Sequence, residues 1–203
     1  MHKQHASDMG FGCRWDTIIG WDAPGLAAIR SSRVEKPSFQ TSGMFHAQGI
    51  DVDGTVLWEQ DFHNMTVDVG LTHVLATQLG AGTQITAWFM GLIDNTSFSP
   101  SSLLATDTMT THPNWTENTN YSSGTRPAWT PAAAANKSIT NTTSTDFTMS
   151  SGGGTIGGAF IVSNSTKGGG TGTLWATGAF ATAQVLASGQ VLRVTYTCTT
   201  SAS

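Results

Sequence analysis

Residues Asp51-Val52-Asp53-Gly54-Thr55 place two carboxylates two positions apart, followed by a glycine and a hydroxyl. On a loop after a buried parallel strand, that spacing suits phosphoryl transfer: the first carboxylate attacks phosphorus and the second handles the proton. Such chemistry also needs a cation on the phosphoryl oxygens and further acidic ligands for magnesium. Downstream, the only basic residues are Arg126, Lys137, Lys167 and Arg193, and the acidic residues after Asp68 are scattered. The preceding "GMFHAQGI" (43–50) alternates with polar His46 and Gln48, whereas a buried parallel strand reads as an unbroken apolar run. Asp53-Gly54 between two alternating runs instead predicts a hairpin tip. A type I′ turn is expected there, with positive φ at both central residues.

Other candidate sites read in the same way. His46, His63 and His73 fall on different predicted elements, with no H-x-H or H-E-x-x-H spacing, so no metal site is expected. Asp51, Asp53, Glu59 and Asp61 straddle the hairpin; paired carboxylates serve glycoside hydrolysis, but acidic residues beside a turn read as solvated. The stretch "STKGGGTGT" (165–173) has glycines and a lysine, but the lysine precedes them and a strand follows. A phosphate loop ends on its lysine and opens a helix, so a hairpin loop is expected. No G-x-S-x-G elbow occurs. No catalytic residue, cofactor or metal is assigned, and the chain is not expected to be an enzyme.

The elements must then carry some other function. The chain has 203 residues and only 11% charged side chains, against a usual share of about 25%. Threonine, serine, glycine and asparagine fill the difference. Five of the nine basic residues (Lys3, Arg14, Arg30, Arg33, Lys36) lie in the first 36 positions. Positions 37–203 hold four basic and nine acidic residues, a net −5, which argues against a nucleic-acid partner. No apolar run approaches the roughly 18 residues of a membrane-spanning helix, and "MHKQHASDMGFGCRW" lacks the apolar centre of a secretory leader. Cys13 and Cys198 could pair and tie the termini together; two unrelated thiols is the simpler reading.

Two regions are expected. Residues 1–40 show no sustained period and read as an extended N-terminal arm, in which Trp15, Ile18, Ile19 and Trp21 are the candidate anchors for a partner. Residues 41–203 read as an all-β domain, an antiparallel sandwich or jelly roll with one helix. The spacing predicts strands at 43–52 and 55–63, then a helix over 67–79 from Val67, Leu71, Val74, Leu75 and Leu79, with Thr66 or Asp68 as cap and Gly80 as stop. Short strands follow at 86–94, 115–121, 138–142, 146–150, 155–163, 173–181 and 190–199. In the last of these, Val191, Val194, Tyr196 and Cys198 form the apolar series.

Several segments in order, "DFHNMTVDVGLTHVL", "TQITAWFMGLID", "WTENTNY", "TRPAWTPAAAANKSITN", "DFTMS" and "GAFIVSNSTKGGGTGTLWATGAF", resemble a group of small virion proteins of tailed bacteriophages and prophages. The resemblance spans about residues 45–198. It implies a structural role as a capsid decoration (cement) protein on the head shell. The implied partners are the major capsid protein and further copies of the chain in a homo-oligomer, and the implied location is the virion. The alternatives are a tail or fibre-attachment component, or a host-facing carbohydrate-binding module using Trp115, Tyr121 and Trp129.

Overall fold

The computed structural model describes residues 39–202. Alternation sets the longest ladder. In Val191–Ala202, Leu192, Val194, Tyr196 and Cys198 are buried while their neighbours are half-exposed. The buried series thus starts at Leu192 rather than Val191, because a strand alternates strictly in twos. This strand pairs antiparallel with Phe39–Ile50 along its whole length, from Phe39↔Ala202 to Ile50↔Val191.

In chain order, the strands are β1 (Phe39–Ile50), β2 (Val56–Thr66), β3 (Trp88–Asp94), β4 (Glu117–Asn118), β5 (Ala128–Trp129), β6 (Ser138–Thr140), β7 (Thr145–Thr148), β8 (Gly154–Val162), β9 (Leu174–Leu186) and β10 (Val191–Ala202). Helix α1 spans Asp68–Leu79, and a single 3₁₀ turn covers Pro100–Ser102. Every strand pairing is antiparallel. The sheet order is β4-β3-β8-β9-β2-β1-β10-β6, with β5 on β3 and β7 on β10. The described residues adopt the expected all-β class with one helix, as a curled half-barrel sheet.

One half of the sheet centres on β1 and β10, the other on β8. They are joined where β2 meets β9, over only three pairs, Asn64↔Gly178, Met65↔Thr177 and Thr66↔Ala176. Aromatic rings fill the bend. Phe45 stacks on Phe62 at 5.0 Å, Phe62 meets Phe180 edge-on at 4.8 Å, and Tyr196 tilts against Phe45 at 4.5 Å. Gly178 makes the corner possible: a Cβ there would lie 2.9 Å from both Phe45 and Phe62 ring carbons, so a side chain would force the two halves apart.

Two expected elements differ. The strand over 115–121 shrinks to Glu117–Asn118, because Asn118 turns its side chain onto Asp94 and Tyr121 keeps only a bridge to Met149. Conversely, Ala128–Trp129 forms a strand inside a presumed link. It forms by pairing with β3, Trp88↔Trp129 and Phe89↔Ala128, and the Pro127 carbonyl accepts from Met90 N–H at 2.9 Å.

Candidate binding surface

The hairpin tip is a turn built from its own polar groups. Asp51 N–H donates to Thr55 O at 2.8 Å, and Gly54 N–H to Asp51 O at 3.0 Å. Asp53 Oδ1 accepts from Thr55 N–H, which holds its carboxyl below the usual range. Only Gly54 has positive φ, at +91°, so the expected type I′ turn is replaced by a three-residue loop ending on a left-handed glycine. The loop forms because Asp51 and Thr55 close it one residue further out. Asp51 Oδ1 also accepts from Gln190 Nε2 at 3.0 Å, which ties the tip to the neighbouring turn.

The other titratable residues singled out on the hairpin sit on its solvent face. His46 Nδ1 lies 2.7 Å from Asp61 Oδ1, and Gln48 Nε2 donates to Glu59 across the same ladder. Among the described residues, no three His, Cys, Asp or Glu side chains converge. Trp115, Tyr121 and Trp129, the candidate sugar platform, are all buried: Trp115 Nε1 donates to Asp107 and Trp129 Nε1 to Asn141. They are core residues because each polar edge finds a partner inside. Cys198 is a buried thiol.

The glycine-rich loop at 165–173 is clamped rather than open. The Arg126 side chain is 0% exposed and Glu117 only 6%. Arg126 Nε and Nη2 donate to the two Glu117 oxygens at 3.0 and 2.7 Å, a bidentate pair. Its remaining donors reach Asn164 O and Gly169 O. Glu117 Oε2 also accepts from Gly168 N–H at 2.8 Å. Lys167 Nζ donates to the Tyr121 and Ser123 carbonyls and lies 4.5 Å from the Tyr121 ring centre. Both charged groups that could have served an anion are spent on holding the loop.

Helix α1 carries the main departure from the expected pattern. Its apolar spacing predicts leucines turned to the core. Instead, Leu71, Leu75 and Leu79 face outward, at 37, 60 and 84% exposure. The reason is steric. The helix approaches the sheet through Gly70, where an added Cβ would sit 2.9 Å from the Trp175 carbonyl oxygen. Gly70 seats the first turn on Trp175, and His73, Val74 and Thr77 face the sheet further along. Residues four apart form one ridge on a helix, so the three leucines project together. The cue in the sequence is that glycine inside the helical pattern. The cap also differs: Val67 is the N-cap with no side-chain bond, and Gly80 ends the helix in extended backbone with its N–H on Ala76 O.

Trp15, Ile18, Ile19 and Trp21 lie outside the described residues. No helix among the described residues is long and apolar enough to cross a membrane. No known family, curated protein or solved structure matches the chain.

Proposed function

We propose that the protein is a structural component of a tailed-bacteriophage particle, a decoration protein that seats on the outer face of the head shell beside copies of itself. The observation that carries this reading is the outward ridge of Leu71, Leu75 and Leu79. A surface helix that turns its largest apolar side chains away from its own core gains their burial only against another surface. The resemblance of the segment series to small virion proteins supports the same reading. So does the ladder: β1 is held by β10 over its full length and by β2 over Met44–Ile50, so pulling it along its axis strains many backbone bonds at once. A surface poor in charge lets copies crowd on a lattice with little mutual repulsion. The stretch ahead of β1, with Trp15, Ile18, Ile19 and Trp21 as anchors, is the proposed tether to a neighbouring subunit.

The test is binding of the purified protein to preformed heads that lack it. Leu75→Gln with Leu79→Gln is expected to lower occupancy at least tenfold, and deletion of residues 1–36 to shorten residence. Unchanged occupancy in both variants would contradict the reading.

A further inference from the structure

We propose that the cavity beneath α1 is a binding site for a neutral sugar ring. The cavity holds about 200 Å³. An apolar hollow of about 150 Å³ takes up benzene, so one substituted six-membered ring fits here. Trp88, Trp129 and Trp175 line it. Trp88 and Trp175 meet at 6.2 Å and 61°, so two indoles form a corner. Trp175 Nε1 donates to Tyr196 Oη at 3.0 Å and Trp129 Nε1 to Asn141 Oδ1 at 2.8 Å. Those two polar edges are already used, so Trp129 and Trp175 offer a ligand apolar face.

The rim has the opposite character. Gln78 and Gln84 border the cavity, both are exposed, and among the described residues neither carboxamide bonds another side chain. A carboxamide donates and accepts at once, which matches adjacent hydroxyls on a ring. Thr77 Oγ1 is occupied, donating to His73 O and Val74 O, and His73 Nε2 accepts from Ile85 N–H at 3.4 Å. That last bond ties Ile85 to the helix at the cavity wall.

No Lys, Arg, Asp or Glu lines the cavity. A charged ligand would lose its hydration there without gaining a partner. A plain aliphatic group would fill the walls but leave both amides unused. A pyranose satisfies both ends, with its C–H face in the indole corner and its hydroxyl edge toward Gln78 and Gln84. The inference is tested separately from the virion reading, because Gln78 and Gln84 are not residues of the leucine ridge.

The experiment is a titration of ¹⁵N-labelled full-length protein with neutral hexose and N-acetylhexosamine oligosaccharides, alongside uronate-bearing counterparts. The indole N–H signals of Trp88, Trp129 and Trp175 are expected to shift with a neutral sugar. Uronates should bind at least tenfold more weakly. Gln78→Ala with Gln84→Ala, both at exposed positions, should lower affinity at least tenfold with an unchanged circular dichroism spectrum. The proposal is overturned if no neutral saccharide moves these signals, or if the double variant binds as well as the parent. A response to cyclohexanol but to no saccharide also overturns it, and would assign the cavity to an apolar side chain of a partner.

Discussion

Arg126 and Glu117 show how one residue pair can decide a region. Each is buried and each satisfies the other, so removing one charge leaves the second stranded in a poor solvent. Glu117→Gln should cost about 3–5 kcal/mol in denaturant unfolding; a loss under about 1 kcal/mol would mean that the loop rearranges freely. The pH response is also set by individual residues. Burial pushes the Cys198 thiol and the Tyr196 and Tyr121 phenols upward, and the Glu117 charge adds to the effect at Tyr121. All three are neutral while protonated, so the folded chain holds its protons to higher pH than the unfolded chain does. The stability they contribute is complete below the ordinary values of 9.0 for the thiol and 10.0 for the phenols, and it is lost as pH rises through the folded values. The melting temperature should therefore fall above about pH 9, less steeply in Tyr196→Phe provided that variant folds. A melting temperature that climbs over that range would contradict these environments. On the acid side, burial pushes Asp94 up, but bonds from Thr96 and Asn118 outweigh it and hold the carboxyl below its ordinary 3.8. Its contribution is present above that value and lost as pH falls.

Among the elements, two glycines separate backbone cost from steric cost. Gly54 has φ +91° and nothing within 4 Å of an added Cβ, so Gly54→Ala should lose only the conformational term, about 1–2 kcal/mol. Gly70 has an ordinary helical backbone but no room. Gly70→Ala should lift α1 from Trp175 and raise the reactivity of Cys198, which lines the cavity beneath. Alkylation of Cys198 in a Cys13→Ser background measures this; a rate equal to that of the parent would count against close packing of α1. These cases also mark what was legible beforehand. The hairpin, the helix and the long strands were readable because alternation and i, i+4 spacing are local. The inward side of α1 was only partly readable: Val67 and Val74 turn inward as the spacing suggests, whereas Leu71, Leu75 and Leu79 do not, because Gly70 is what meets Trp175. The clamp was hidden for a related reason. Arg126 stood out in the chain only as one of four basic residues after position 36, and folding alone brings it to Asn164 and Gly169.

At the scale of the whole molecule, the proposed adhesion has two parts: a curled antiparallel sheet, and an exposed ridge of Leu71, Leu75 and Leu79 that another surface would cover. Leu75→Gln and Leu79→Gln should leave unfolding free energy within about 0.5 kcal/mol of the parent, as exposed positions do, while reducing attachment. Loss of fold in these variants would place the ridge in the core and remove it as a surface. The most direct measurement is electron microscopy of phage particles produced with the protein labelled. The account predicts label distributed over the head, at hundreds of copies per particle. Label confined to the tail at a few dozen copies would reassign the protein to the tail, and particles carrying no label at all would contradict the central claim.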